Sequence, residues 1–536
     1  MPHFNLSYLQ MLGLTVFLWI NSMAIQAQST FEFTVDTIRL PDWPALHSFS
    51  FGVYQDKVYI FGGRMDGIHE KESGFQKSGA NEKLYVWNTL SNHISNYDLS
   101  ILPDSILLPL SATGTSFVQN ENQLVIIGGY GQSESGIYDT YPSLIHIDLE
   151  ILDQVVNNQG VYTDAIKHIS NSKFRTAGAQ LQYLDGKYYL VGGNLFEGEY
   201  KSNSGQVKQQ YYELATIFSL IKGANSLSVN FEFEYRDEFN FHRRDYNMVP
   251  FVVAPGLVKL MIFSGVFLIN ENRPFMNIAL LDKNGYEDVL NFNQRFAHYH
   301  CSKVGVYSFS ASEMSEIFFG GMAEYFIDST GISARDPLVP FVSTISKVSK
   351  LNDGSYKESF YANQMPGFLG TNSEFLIHRD IPLYAPGIVD LDKIKNDTVF
   401  LGTIFGGIYN PTTDPNPWQN NKAHLTKANP YLLKVHMIKN ANPNSSKWIQ
   451  KHSPNKALFR VSPNPAKDKC LLNIDGLTWS QLSVWLIDPN GKLLFYNNYS
   501  DHTLPVIHIN PYPKGAYIIY AIADNKYFFK SEVIKQ

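Results

Sequence analysis

Val58-Tyr59-Ile60-Phe61-Gly62-Gly63, a run of β-forming residues ending on paired glycines, recurs along the chain and decides how it is read. It returns as Leu124-Val125-Ile126-Ile127-Gly128-Gly129, as Tyr188-Tyr189-Leu190-Val191-Gly192-Gly193 and as Ile317-Phe318-Phe319-Gly320-Gly321. Looser copies are Leu260-Met261-Ile262-Phe263-Ser264-Gly265 and the stretch from Val399 to Gly407. The closing glycines stand at 63, 129, 193, 265, 321 and 407, so by subtraction the intervals are 66, 64, 72, 56 and 86 residues. Each interval has room for further short strands. Ser48 to Tyr54 precedes the first glycine pair, Lys83 to Trp87 and His93 to Tyr97 follow it, and Ser143 to Leu149 follows the second. About four short strands per repeat is the content of one blade of a β-propeller.

The glycines read as architecture: a strand that ends in a tight backbone path beside its neighbours favours residues without a Cβ. They are not phosphate loops, because no GxxxxGK[ST] occurs and no copy has the strand–GxGxxG–helix setting. Upstream of the first repeat lies one more strand candidate, Phe31 to Ile38, and the last repeat runs out near Leu432 to His436. The N-terminal strand is therefore expected to complete the last blade and hide its edge.

These repeats resemble the kelch family. The strand followed by Gly-Gly, the later aromatic strand, the turn Tyr183-Leu184-Asp185-Gly186-Lys187 and the polar runs His242-Arg243-Arg244-Asp245 and His378-Arg379-Asp380 carry the resemblance, over about residues 31–438. It implies an all-β, six-bladed kelch-like β-propeller, with those polar runs opening first strands. Ser264 in place of a glycine, and repeats longer than the family's ~50 residues, depart from the pattern.

Bulk composition agrees with β structure. Of 536 residues, 44% are hydrophobic, 17% charged and 14% aromatic, with 32 Tyr and 36 Phe. Aromatic side chains suit pleated, half-buried surfaces. A net charge of −6 gives no electrostatic case for a nucleic-acid partner. The two cysteines, Cys301 and Cys470, lie in no metal-site spacing and read as free or buried thiols.

Residues 1–27 read as an export signal: Met11 to Ile20 is an apolar run, and Ala24-Ile25-Gln26-Ala27 supplies a cleavage site after Ala27. The run is too short to span a bilayer, and no later segment reaches that length, so no transmembrane segment is expected in the mature chain. The propeller is assigned to 28–438, a polar Asn/Pro/Ser/Lys linker to 439–458, and a separate β module to 459–536.

That module has an ordered set of motifs: Pro463-Asn464-Pro465, the turn Asp488-Pro489-Asn490-Gly491-Lys492, Gly515-Ala516-Tyr517, and a basic end at Lys535. Taken alone it is a small antiparallel sandwich. In order and content it resembles the type A C-terminal sorting domain of the type IX secretion system. The resemblance implies a secretion machinery partner and a secreted or cell-surface location.

No catalytic constellation emerges. His69-Glu70 lacks the second His of HExxH, Gly114-Thr115-Ser116 is no nucleophile elbow, and His298-Tyr299-His300-Cys301 on one predicted strand reads as packing. No cofactor or metal is expected. One constellation is kept as a candidate ligand site: His47, Arg175, Arg244, His300 and Arg379, each placed near the start of a predicted first strand, where a propeller's channel opens. They read either as a cationic ring for an acidic or polyhydroxylated ligand, or as ion-pair partners of carboxylates such as Asp245 and Asp380. Long loops after the glycine pairs, at Arg64 to Ala80, Tyr130 to Tyr141, Asn194 to Tyr211, Met322 to Asp336 and Tyr409 to Trp418, are expected on one face. The functions this leaves are a binding module for a protein or glycan, a carbohydrate-active enzyme of epimerase or lyase type, and a passive surface component.

Overall fold

A computed structural model describes residues 31–439 and 458–536, apart from short segments at 70–73, 133–134, 159, 201–206, 224–225, 291, 329–330, 420–421, 476, 489–492, 501–504 and 524–526. The export signal, most of the linker and Gly491 lie outside the described residues. The chain divides into two compact units, one ending at Lys439 and one beginning at Asn440.

The first unit is all-β and is built on six successive antiparallel meanders. The first sheet is Ser50–Tyr54, Lys57–Phe61, Lys83–Asn88 and His93–Asp98, and the second is Ser116–Asn120, Gln123–Ile127, Pro142–Asp148 and Ile166–Arg175. The third comprises Gln180–Leu184, Lys187–Val191, Leu214–Lys222 and Leu227–Arg236; the fourth comprises Asn247–Ala254, Leu257–Phe263, Ala279–Asp282 and Gly285–Asp288. The fifth has Lys303–Ser308, Glu313–Phe319, Ile345–Lys350 and Tyr356–Phe360. The sixth runs Phe368–Ile377, Thr398–Asn410, Leu432–Lys439 and then Phe31–Ile38.

Burial explains the sequence pattern. Second strands are covered on both faces, so Lys57–Phe61 and Gln123–Ile127 each bury four consecutive residues and read as unbroken apolar runs. Fourth strands lie outermost: His93–Asp98 buries no residue fully, and its sequence is polar. The core lies between neighbouring sheets, where Tyr59, Phe61, Leu124 and Ile126 pack together between the first and second.

The glycine pairs knit one sheet to the next. Gly62 and Gly63 take φ of 63° and 79°, and a Cβ on Gly62 would stand 2.3 Å from the Leu110 carbonyl oxygen. This close approach lets the amide of the second glycine donate to a carbonyl just before the following sheet. Gly63 donates to Ala112 (3.1 Å), Gly129 to Thr176 (2.8 Å), Gly193 to Arg243 (2.6 Å), Gly321 to Leu369 (2.9 Å) and Gly407 to Leu46 (2.8 Å). The last bond runs from the sixth sheet back to the first. Between the fourth and fifth sheets, the link is His300 N–H to the Asp245 carbonyl at 2.9 Å. Ser264 occupies the first-glycine position of the fourth sheet with φ 57°, matching its glycine counterparts.

Phe31–Ile38 pairs in antiparallel register with Leu432–Lys439, from Phe31 opposite Lys439 to Ile38 opposite Leu432. It is the outer strand of the sixth sheet, as the sequence leads one to expect. Two strand assignments are corrected. His378-Arg379-Asp380 follows the inner strand Phe368–Ile377, and His298 to Cys301 precede Lys303–Ser308. The long segment after Ile377 carries two extra short strands, Leu383–Ala385 and Ile388–Asp390; the latter pairs in parallel with the inner strand of the fifth sheet, Gly305 opposite Ile388.

The second unit has a three-stranded sheet (Leu458–Ser462, Lys469–Asp475, Val506–His508) and a four-stranded one (Gln481–Ile487, Leu493–Ser500, Gly515–Ala523, Tyr527–Lys535). Leu472, Val484, Ile507, Ile519 and Val533 fill its core, and Cys470 stands among them, free and fully buried. The motif residues tie its two ends together. Asn464 donates to the Glu532 carbonyl at 2.6 Å and accepts from the Ile534 amide at 2.9 Å. Lys535 reaches the Asn510 carbonyl at 2.7 Å, and the Tyr517 hydroxyl donates to Pro513 at 2.6 Å.

Candidate functional site

Five inner strands are preceded by a residue that faces the middle of the first unit, Ser48, Gly114, Gly178, Asp245 and His300, and Asn372 takes the same place within Phe368–Ile377. All but His300 have positive φ, between 51° and 69°. Their backbones form a belt. Gly178 N–H donates to Gly114, Asp245 to Gly178, His300 to Asp245 and Asn372 to His300, each at 2.8–2.9 Å, and Ser48 to Asn372 at 3.5 Å. Five of the six, His300 excepted, line both of two cavities. Residues just before the belt, such as His47, Thr113, Ala177 and Arg244, line the first cavity, and those just after it, such as Phe49, Thr115 and Ala179, line the second. The two cavities therefore lie on opposite sides of the belt.

The first cavity has a volume of about 480 Å³. Its walls come from the loops that follow the glycine pairs, and their aromatic rings converge. His69 stacks on Phe75 with ring centroids 4.9 Å apart, meets Tyr200 edge-on at 4.7 Å, and lies 5.9 Å from Trp418. Phe75 also packs on Tyr130 at 5.6 Å, and Tyr130 on Phe196 at 5.6 Å. These rings come from the first, second, third and sixth sheets' loops; Phe267 and Tyr299 add the fourth and fifth. Burial, and then the nearby positive charges of Arg244, His47 and Arg64, push the His69 imidazole down to about 3. It is neutral at physiological pH and behaves as one more flat ring.

The charged groups here satisfy one another. Arg64 bonds Asp66 through Nε at 2.8 Å and the Gln76 carbonyl at 2.8 Å, with its guanidinium over Phe75. Burial pushes the Asp66 carboxyl up, but the hydrogen bonds and charge of His47 and Arg64 outweigh it and hold the group at about 2. Arg244 donates to Asp245 at 2.5 Å and to the Tyr211 hydroxyl at 3.0 Å.

The five residues singled out in the sequence do not form one ring. His47 and Arg244 line the first cavity, whereas His300 lines the second and bonds Glu374 at 2.9 Å. Arg175 lies at the end of an outer strand, held by Asp139 at 2.6 Å and Glu197 at 2.9 Å, and lines neither cavity. Arg379 is 59% exposed and pairs with Asp56 in the first sheet's opening turn. The aromatic residues were legible only as a compositional bias of the loops.

With this geometry in place, comparison with known proteins divides along the chain. Residues 460–536 match the family described as the secretion system C-terminal sorting domain. This tail marks the protein for type IX export to the cell surface or the medium and implies contact with that secretion machinery. Among curated proteins, no sequence matches the chain. Solved structures similar to it include YjhT, at 13% identity and a TM-score of 0.39, covering 69% of this chain and 93% of that one. Another is CoXyl43, a GH43 β-xylosidase/α-arabinofuranosidase from a compost microbial metagenome in complex with xylotriose, at 12% identity, TM-score 0.32, and coverage of 60% and 98%. A third is the WD40 domain of SCAP from fission yeast, at 8%, 0.28, 94% and 90%. Likenesses this remote bear on neither ligand nor activity. Among the described residues, no helix is long and apolar enough to cross a membrane.

Proposed function

We propose that the first unit is a six-bladed, kelch-like propeller that serves as an exported binding module, with a glycan as its ligand at the aromatic-lined mouth. One observation carries the reading. Rings from the post-glycine loops of five sheets, with Tyr299 from the segment leading into the fifth, line a single cavity of about 480 Å³, alongside a few polar groups such as Asn194 and Asn272. Flat apolar faces with sparse, fixed polar groups are the make-up of a small-ligand site, and stacked rings offer area without much loss of side-chain entropy. The cations and carboxylates near the mouth are engaged with each other, which favours binding over proton-transfer chemistry. The six sheets, the backbone links from each to the next, five of them from glycine pairs, and the outer strand from the N-terminus support the blade count.

The test is a glycan array probed with the purified chain, followed by titration of the best ligand against Trp418→Ala and Phe75→Ala. Each variant should weaken binding about tenfold or more, as the loss of one stacked face removes roughly 1–2 kcal/mol. An empty array, or affinity that survives both substitutions, overturns the reading.

A further inference from the structure

The second cavity, about 700 Å³ in volume, lies across the belt from the aromatic mouth and has walls of a different kind. Its most unusual group is Glu316. This residue belongs to the second strand of the fifth sheet, one layer behind the inner strand, and only 1% of its surface is exposed. It nonetheless lines the cavity, because the inner-strand residue opposite it is Gly305. Gly305 does not have positive φ, so no backbone requirement calls for glycine there. A Cβ at that position would stand 3.1 Å from Glu316 Oε2 and 3.0 Å from Met314 Cε. The missing side chain is a window in the channel wall, with only the Gly305 backbone in front of the Glu316 carboxyl.

Oε2 of Glu316 has no hydrogen-bond partner. Burial pushes the carboxyl up to about 8, with Lys303 nearby acting in the opposite direction. A second unpartnered polar atom faces the same cavity from the second sheet: the Ser116 hydroxyl, 2% exposed. Leaving two such groups without partners is unfavourable, and a hydrogen-bonding ligand would relieve both. The insertion after Ile377 walls the cavity beside them. Its Gly387 carbonyl lies 3.4 Å from the Gly305 window, and its Tyr384 is anchored by the Gly256 amide at 2.9 Å and by the Tyr307 ring at 4.5 Å. Glu374 bonds His300 at 2.9 Å and Asp245 pairs with Arg244 at 2.5 Å, so these two carboxylates already have partners. A site whose paired carboxylates leave unmet polar atoms beside apolar walls such as Phe51, Phe117 and Phe375 suits an uncharged ligand rich in hydroxyl groups.

From these observations we infer that the second cavity is a separate ligand site for a small neutral saccharide, of disaccharide size, recognised by Glu316 through the Gly305 window and by Ser116 from the facing sheet. The inference does not rest on the aromatic mouth.

Three neutral disaccharides, cellobiose, xylobiose and N,N′-diacetylchitobiose, are to be titrated calorimetrically into the full chain and into Glu316→Gln, Gly305→Ala, Ser116→Ala and Trp418→Ala, with the melting temperature of each variant recorded. At least one sugar should bind. Glu316→Gln and Gly305→Ala should weaken it about tenfold or more and Ser116→Ala about fivefold, while Trp418→Ala leaves it unchanged. Glu316→Gln should melt no lower than the parent, because it removes a buried ionisable group and not a structural pair. Absence of binding by all three sugars overturns the inference, as does binding indifferent to Glu316→Gln and Ser116→Ala, or a lowered melting temperature in Glu316→Gln. Binding lost only in Trp418→Ala assigns the sugar to the aromatic mouth and also overturns it.

Discussion

Phe33 is the residue that anchors the N-terminal strand in the sixth sheet. It lies on the N-terminal strand, is fully buried, and meets three rings: Phe31 at 5.6 Å, Phe319 at 5.4 Å and Tyr361 at 5.1 Å, all edge-on. Its carbonyl accepts from the Asn363 side chain at 2.9 Å. Phe319 belongs to the fifth sheet, so Phe33 joins the strand that completes the sixth sheet to the sheet before it. Phe33→Ala removes a buried ring packed on Phe31 of its own strand and on Phe319 and Tyr361 from the fifth sheet and the segment that follows it. Burial and cavity terms together amount to about 3–5 kcal/mol for such a change, and the loss of three edge-on pairs places this one near the upper end. Chemical denaturation of the full chain, followed by a probe of the first unit, should show a lowered midpoint with an unchanged slope. The neighbouring exposed Thr37→Ala should stay within about 0.5 kcal/mol. Deleting residues 31–38 should be worse, exposing the Leu432–Lys439 edge and causing aggregation. A Phe33→Ala cost below about 1 kcal/mol, or a monomeric deletion variant with the parent's midpoint, would refute closure by this strand.

Four further expectations can be checked on the same chain. Ser264 holds φ 57° with its hydroxyl buried and unpartnered, so Ser264→Gly should raise stability by about 1 kcal/mol in the same denaturation assay. His298 is fully buried, bonded to the Gly320 carbonyl at 2.6 Å and Ser346 Oγ at 2.8 Å, and burial holds it at about 4. Above its ordinary value it is neutral whether folded or unfolded. As pH falls from about 6.5 to 4 only the unfolded chain takes the proton, so stability should drop by roughly 3 kcal/mol across that window, a slope that His298→Gln should flatten. Arg175→Ala should lower the melting temperature, because it strands Asp139 and Glu197, while Arg379→Ala at its exposed pair should leave it unchanged. Deletion of residues 459–536 should leave the protein in the periplasm, as read by cell fractionation; normal surface delivery would contradict the role of the tail.

The glycine-pair strands were legible because their chemistry is local: a strand buried on both faces must be apolar throughout, and its end must lack a Cβ where it touches the next sheet. The sorting motifs were legible for a similar reason, since Asn464 and Lys535 are fixed by what they bond. The central residues were harder. Arg379 was aligned by charge, but its place in the sixth sheet belongs to Asn372, and the property shared by Ser48, Gly114, Gly178, Asp245 and Asn372 is a left-handed backbone, not a charge. A search for Gly, Asn, Asp or Ser two residues ahead of each inner strand would have found four of the six. Glu316 left a fainter trace, one carboxylate in the run Met314 to Phe319, and its meaning depends on Gly305, which only the pairing of the two strands brings opposite.

The register that sets Phe31 against Lys439 also sets an order of events during folding. Each of the first five sheets can assemble from a contiguous piece of chain, whereas the sixth must wait for two segments about 400 residues apart, so its closure carries the largest loop entropy in the molecule. A strand that docks last contributes little to the transition state for folding and much to the barrier against unfolding. For an exported protein, that arrangement places the N-terminal strand in charge of lifetime: the sixth sheet stays complete for as long as eight residues stay in place.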